Sequence, residues 1–280
     1  MTHRLIATPT ADFSPDKLRE LLKNSPLVRH VIPFAQIGST NTWAMQQSRR
    51  TPRQAAGLLV TTEHQTEGRG RLNHQWIETP GSSLLFSLVT FTPIKPMRIM
   101  LGMPLAVAAA LNAFLPADLQ ATLKWPNDVM VCGDKICGIL MEHPALPDGM
   151  SSLVVVGVGL NVFQTKRGGS SPHTFPPSLR YTATSLLDLM PNGGFPTREE
   201  ILASIINELG ETMSQPIDDI VKAYNDKCDT IGRLITLTDG RSGKALYVND
   251  DGALVLKPND HTQPLISVHG GEIGYWQQNK

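Results

Sequence analysis

The run from Leu153 to Val162 constrains this chain more than any other stretch. It is almost unbroken in apolar residues and includes Gly157 and Gly159. It is too short and too glycine-rich to cross a bilayer. It therefore reads as a strand covered on both faces, so the sheet that contains it needs packing layers on both sides. Asn161 ends the run with a polar amide, and glycine inside a strand often marks close approach by a ligand or another backbone.

The rest of the pattern surrounds that strand with mixed elements. Ser14-Pro15 starts a helix, with Ser as cap and Pro in the first turn, and Leu18, Leu21 and Leu22 give it an apolar face. Val31 to Ile37 reads as a strand, Ser39-Thr40-Asn41 caps a helix from about Thr42, and Gly57 to Thr62 is a second strand. Ser83 to Phe91 is strand-like. Met97 to Leu115 is a long helix that Pro104 either kinks or truly begins. Ala121 to Trp125 and Val129 to Cys132 are short strands around Pro126. A turn at Gly133-Asp134 leads into a strand from Lys135 to Glu142. Residues 166–180 form a long irregular loop, a class that is often functional. Thr197 and Glu200 make a capping box before a helix lined by Ile201, Ile205 and Leu209, and a last helix covers Ile217 to Asp226. Beyond Cys228, short strands alternate with turn signals at Asp239-Gly240, Asn249 to Gly252, Pro258 to Asp260 and Gly270-Gly271, as in a small all-β barrel. The strands from Trp125 to Glu142 read as a hairpin meander, so the main part is α+β. The expected division is a tail at 1–13, a large domain at 14–228 and a small one at 229–280.

Lys plus Arg equals Asp plus Glu, 25 each, so no global field holds a polyphosphate backbone or an anionic lipid, and any charged ligand needs a local cluster. Met1 to Phe13 lacks the apolar core of a signal peptide. Cys132, Cys137 and Cys228 lack zinc-site spacing and read as reduced, buried thiols of a cytoplasmic protein.

Four segments carry candidate chemistry. Gly68-Arg69-Gly70-Arg71 combines close backbone approach with two fork-shaped cations suited to carboxylate or phosphate. Taken alone it also reads as a solvated basic turn, and it lacks the Walker pattern. Lys124-Trp125-Pro126-Asn127-Asp128 packs a lysine, an amide and a carboxylate around a proline. The carboxylate can hold Mg²⁺ against phosphates or accept a proton from an amine, and the same segment also reads as a rigid turn with a buried Trp. In Lys135-Ile136-Cys137-Gly138, strand alternation puts Lys135 and Cys137 on one face, with Lys135 either facing a pocket or solvated at an edge. Gly157 to Asn161 ends in an amide able to read a base edge, or simply packs tightly.

In this order, Ser-Thr-Asn, Gly-Arg-Gly-Arg with a later Trp, Lys-Trp-Pro-Asn-Asp, Lys-x-x-Gly-Ile-Leu-x-Glu and Gly-x-Gly-x-Asn, the chain resembles the biotin protein ligase family from about Ser14 to Trp276. The resemblance implies a ligase-like catalytic domain, a mixed sheet packed by helices, followed by an SH3-like barrel. It implies an enzyme that uses ATP and Mg²⁺ to make biotinyl-5′-AMP and then biotinylates one lysine of a biotin carboxyl carrier protein. It implies that Ser39, Thr40, Asn41 and Gln65 line the biotin head group. Arg69, Gly70 and Arg71 would close over its carboxyl end, and Lys135 would bridge carboxylate and α-phosphate. Trp76 and Asn161 match positions that contact adenine, while Lys124, Asn127 and Asp128 match the phosphate and metal side. Asp128 is also a candidate for helping the acceptor lysine lose its proton. The catalytic set is then Arg69, Arg71, Lys124, Asp128 and Lys135. Gly270-Gly271-Glu272 fits the family's C-terminal barrel.

Two departures fall in the loop. Asn73 stands where another glycine is frequent, and Asn tolerates the left-handed region. His74 replaces a basic residue. Repressor-type relatives carry a helix-turn-helix before the core, and thirteen residues cannot hold one, so the expectation is an enzyme that does not itself bind DNA. With no spanning stretch and no global charge field, no membrane partner is expected either. Homodimers pairing sheet edges occur among relatives. Lipoate or octanoate ligation, a non-catalytic biotinyl-AMP sensor and a pseudoenzyme scaffold are the competing readings.

Overall fold

A computed structural model describes residues 13–91, 97–146, 153–165, 174–175, 182–191, 193–194, 196–260, 262–270 and 273–274. The expected tail (bar Phe13), most of the 166–180 loop, and Gly271 and Glu272 lie outside them.

Helix α1 (Pro15–Leu21) opens the fold, capped by Ser14, whose hydroxyl accepts from the Lys17 N–H. Leu18 and Leu22 are buried, but Leu21 is exposed, so the expected three-leucine face is two leucines wide. Strand β1 (His30–Phe34) stops short of Ile37. Helix α2 (Thr40–Arg50) begins two residues before the expected Thr42, with Ser39 as cap, and the short α3 (Pro52–Ala55) follows. Strands β2 (Leu58–Thr62) and β3 (Ser83–Phe91) lead to α4 (Met97–Asn112), which starts at Met97 and runs on through Pro104. Next come β4 (Ala121–Lys124), β5 (Asp128–Val131), β6 (Asp134–Glu142) and β7 (Leu153–Asn161).

These seven strands form one mixed sheet in the order β1-β2-β3-β7-β6-β5-β4. β1 and β2 are parallel across the α2–α3 crossover, and every other neighbour is antiparallel. β7, the apolar run, lies in the middle of the sheet, as a strand buried on both faces should. Its residues alternate cleanly. Val154, Val156, Val158 and Leu160 join the large core under α4 and α6 (Arg198–Ser214), while Leu153 and Val155 join a second cluster with Ala44 and Met45 of α2. Further along that second face, Gly157, Gly159 and Asn161 look into a cavity instead.

The short α5 (Leu186–Leu189) precedes α6, whose Thr197–Glu200 capping box forms as expected. After α7 (Ile217–Lys227) come β8 (Leu234–Leu237), β9 (Ser242–Val248), β10 (Leu254–Pro258), β11 (Ile266–Val268) and β12 (Ile273–Gly274). They make a second antiparallel sheet, ordered β11-β10-β9-β8-β12. Its inward residues, Ile235, Ala245, Val248, Leu254 and Leu256, belong to the same buried cluster as α4 and the large sheet.

The β5–β6 hairpin corrects three expectations. Its turn is Cys132-Gly133, both with positive φ (53° and 80°), so Asp134 is already in the strand and Cys132 is exposed at the tip instead of buried. A bulge at Ile136 then breaks the alternation: Met130 faces Lys135 and Val129 faces Cys137. One extra residue turns both Ile136 and Cys137 into the apolar core and leaves Lys135 and Gly138 on the cavity side. Lys135 and Cys137 therefore do not share a face.

Candidate functional site

The cavity, about 370 Å³, lies where α2 stops covering the sheet. Its wall contains Ser39, Thr40, Asn41, Gln65, Arg69, Gly70, Arg71, Trp76, Lys124, Asn127, Asp128, Lys135 and Asn161, so the residues expected to meet biotin, nucleotide or metal line one space, while Gly68, Ile136 and Cys137 do not. Sequence distance is bridged by the sheet: the α2 cap, the β2–β3 loop, the β4–β5 turn and the ends of β6 and β7 all open on this face.

One part of the wall is neutral and polar. The Thr40 N–H and hydroxyl both donate to Gln65 Oε1, at 2.9 and 3.2 Å. The Asn41 amide donates to the Leu140 carbonyl (3.1 Å) and to Glu142 Oε2 (2.9 Å), while its Oδ1 accepts from Ser87 Oγ at 2.6 Å. Both Asn41 donors are thus engaged, which leaves one lone pair on Oδ1 for a ligand. A methyl group at Gly157 would collide with Asn41 Oδ1, so that glycine is what lets α2 sit this close to β7. Beneath Gln65, its backbone N–H donates to Glu78 Oε1 (3.1 Å), which also meets His64 Nδ1 at 2.7 Å.

The other part is charged. Among the described residues the cavity wall carries Arg69, Arg71, Lys124 and Lys135 against one carboxylate, Asp128. Lys135 Nζ lies 2.6 Å from Asp128 Oδ1, an ion pair outside good hydrogen-bond alignment. Arg71 donates to Asn127 Oδ1 (3.1 Å), and Asn127 Nδ2 donates to the Ile139 carbonyl (2.8 Å), which fixes the β4–β5 turn against β6. Burial lowers the Lys124 ammonium pKa; Asp128 opposes that shift, and Lys135 and Arg233 reinforce it. Arg69 is also paired with Glu142 Oε2 behind the wall at 2.8 Å, and the grouping of cations in a partly enclosed space favours anions.

Trp76 crosses the floor. Its indole lies so close over Gly159 that a methyl there would stand 2.5 Å from Cε2, and over Gly138 the same test gives 2.9 Å to Cζ3. Lys135 Nζ is 5.6 Å from the ring centroid. The close approach that the strand glycines permit is therefore to Asn41 and Trp76. Trp76 Nε1 is buried without a partner among the described residues and is a donor available to a bound group. Asn161 Nδ2 donates to the carbonyls of Thr184 (3.0 Å) and Lys135 (3.4 Å), so its Oδ1 is the atom left to accept from a ligand.

The loop departures resolve differently than expected. The left-handed residue is Leu72 (φ 52°, ψ 36°), not Asn73. Gly70 N–H donates to the His74 carbonyl at 2.7 Å, closing the turn that presents Arg71. Trp125 is buried and ties the site to the second sheet by donating from Nε1 to the Gly252 carbonyl (3.0 Å). Three contributors were not assigned from the sequence: Ser87, Glu78 and Glu142. The signal for Ser87 is a polar residue in the apolar strand β3 and for Glu142 the glutamate closing the Lys-x-x-Gly-Ile-Leu-x-Glu pattern; Glu78 carries no comparable signal.

Among the described residues no helix is long and apolar enough to cross a membrane. A sequence model described as the biotin/lipoate A/B protein ligase family matches residues 34–161. The chain is 33% identical over 259 residues to a biotin--[acetyl-CoA-carboxylase] ligase of Mycobacterium tuberculosis, covering 88% of each chain. It is 30% identical over 274 residues to the bifunctional ligase/repressor BirA of Bacillus subtilis, covering 95% of this chain and 81% of that protein. In three dimensions it is similar to the biotin protein ligase from Aquifex aeolicus in complex with biotin and ATP. The TM-score is 0.68 at 21% identity, over 88% of this chain and 98% of that one, a likeness of fold.

Proposed function

The chain belongs to the biotin/lipoate A/B protein ligase family, and on that premise we propose that it is an ATP-dependent biotin protein ligase, with the cavity as its active site. One observation carries the reading. A neutral hydrogen-bonding group around Thr40 and Gln65 and a cationic group around Lys135 line the same cavity. A ureido ring needs a few aimed donors and acceptors, and joining two anions needs cations at the point of attack.

In the first half-reaction a biotin carboxylate oxygen attacks the α-phosphorus of ATP. The bond to the β-phosphate breaks, and pyrophosphate leaves. Lys135, with Arg69 and Arg71, lowers the repulsion between carboxylate and phosphate and stabilises charge at phosphorus. Lys124 and Asn127 face the departing phosphates. Trp76 covers the base, and Asn161 Oδ1 accepts from its exocyclic amine. In the second half-reaction the neutral amine of the acceptor lysine attacks the acyl carbon, and AMP leaves. Asp128 is assigned to receive the amine proton. Magnesium enters with ATP as part of that substrate. Asp128 is one carboxylate, and magnesium is commonly held by one or two carboxylates plus substrate phosphates, so the donor set fits.

The acceptor in this reading is the biotin carrier domain of a carboxylase, supported by the names of the relatives. The boundary near Cys228 and an SH3-like closure of the second sheet belong to the same reading, supported by the five-strand antiparallel order. So does a cytoplasmic setting, where ATP is available. Edge pairing through β1 is not part of it, because Pro33 offers no N–H and Arg19 already donates to the Val31 carbonyl.

The test is ATP–pyrophosphate exchange with biotin, lipoate or octanoate, followed by transfer to a carrier domain. Exchange with biotin alone and label on the carrier are expected. Exchange only with lipoate or octanoate would move the activity to the sister enzymes, and none with any acid would remove the enzymatic reading.

A further inference from the structure

Glu142 does not line the cavity, yet a single oxygen of its side chain holds two residues that do. Oε2 accepts from Asn41 Nδ2 at 2.9 Å and from Arg69 Nη2 at 2.8 Å. Glu142 is the last residue of β6 and pairs with Val155 of β7, so its backbone is fixed by the centre of the sheet. The side chain is about three-quarters buried (24% exposed), and the Arg69 side chain is 41% exposed. Asn41 comes from α2 and Arg69 from the glycine–arginine loop, so these elements share one anchor on a third.

From this geometry we infer that Glu142 is a positioning residue for biotin recognition, fixing the orientation of Asn41 and holding Arg69 over the carboxylate end of the cavity. The inference rests on the biotin ligase reading. Two physical effects support it. Hydrogen bonds to an ionised acceptor are shorter and stronger than neutral ones, so the Arg69 tether depends on the charge of Glu142. The Asn41 amide is read by two acceptors and one donor at once, Leu140, Glu142 and Ser87, and removing one leaves its orientation less determined. Glu142 also limits Arg69 to one region of space, so less ordering remains when the substrate carboxylate arrives.

The consequence is a graded effect on binding. Glu142→Gln keeps an acceptor for Asn41 but removes the charge that holds Arg69. Glu142→Ala removes both. Hydrogen bonds to charged groups are worth enough that Glu142→Ala is expected to raise KM for biotin on the order of tenfold or more, with Glu142→Gln between it and the parent. KM should rise by more than kcat falls, because Glu142 touches no reacting atom.

The experiment is biotin-dependent ATP–pyrophosphate exchange on the full chain across a biotin titration, for the parent, both Glu142 variants, Arg69→Ala and the double variant Arg69→Ala/Glu142→Ala, with melting temperatures alongside. Support would be the graded KM series, plus a Glu142→Ala effect that shrinks once Arg69 is gone, since a coupled pair is not additive. A KM unchanged in both Glu142 variants, or an effect fully additive with Arg69→Ala, overturns the positioning role while leaving the ligase reading intact. If Glu142→Ala does not fold, the isosteric Glu142→Gln decides alone. A parent enzyme with no biotin-dependent exchange overturns both.

Discussion

At Lys124, burial and charge pull against each other. The pKa is lowered chiefly by burial, so the ammonium is less favourable in the folded protein than in the unfolded chain. That cost is present at neutral pH and fades as pH rises from the lowered folded value through the ordinary lysine range. Lys124→Met should therefore raise the melting temperature at pH 7 and abolish exchange, with the stability gain shrinking as the comparison is repeated toward pH 10.5. An unchanged melting temperature at pH 7 would mean that Asp128 fully compensates. At Leu72 the conflict is steric. A left-handed leucine costs roughly 1–2 kcal/mol, and this side chain is 60% exposed with little packing to lose. Glycine relieves that strain but adds unfolded-state entropy, so Leu72→Gly is expected to stabilise by about 0.5–1 kcal/mol, read as a higher urea midpoint at constant slope. Asp128 belongs to the same scale. Asp128→Asn should slow acceptor labelling from preformed biotinyl-5′-AMP, and an equal rate would take Asp128 out of the transfer step.

Among the elements, α2 and β7 depend on each other through one missing side chain. Gly157 admits Asn41 of α2, and a methyl group there has nowhere to go, because Asn41 is held by Ser87, Leu140 and Glu142 together. Gly157→Ala is expected to cost about 1–3 kcal/mol by overpacking and to weaken biotin binding along with stability. Gly210 in α6 gives the opposite sign. Among the described residues a methyl there meets only Leu27 Cδ1 at 3.9 Å, ordinary contact, so Gly210→Ala should add about 0.5–1 kcal/mol through helix propensity. Thermal melts of the two variants side by side check both; a gain from Gly157→Ala would show that α2 can move away from β7. The bulge at Ile136 acts at this scale too, since a regular strand would turn either Lys135 or Gly138 away from the cavity.

Across the whole molecule, the second sheet is bound to the first by burial and by specific bonds. Its inward residues share one apolar cluster with α4 and the large sheet. Trp125 donates from Nε1 to Gly252 O and from its backbone N–H to Thr230 Oγ1, and the Asp229 N–H donates to the Leu123 carbonyl along β4. The two units proposed on either side of Cys228 should therefore unfold together. Far-ultraviolet circular dichroism and tryptophan fluorescence are expected to give coincident denaturant transitions; two separated transitions would show that the shared core contributes little.

What the sequence determined by itself are the features set by local chemistry and period. These include the doubly buried strand expected at Leu153–Val162 and found at Leu153–Asn161, the caps at Ser14, Ser39 and Thr197, the meander from Trp125 to Glu142, and the gathering of the expected site residues, read from their order along the chain. The tertiary structure alone decided which way side chains point where that period breaks. One extra residue at Ile136 reverses the face of Cys137, and the turn at Cys132-Gly133 exposes a thiol expected to be buried. It also decided which partners saturate a group. Asn41 spends both donors on Leu140 and Glu142, and Glu142 reaches Arg69 from 73 positions away. A hydrogen bond depends on distances of a few tenths of an ångström, and those are set only when separate elements pack against one another.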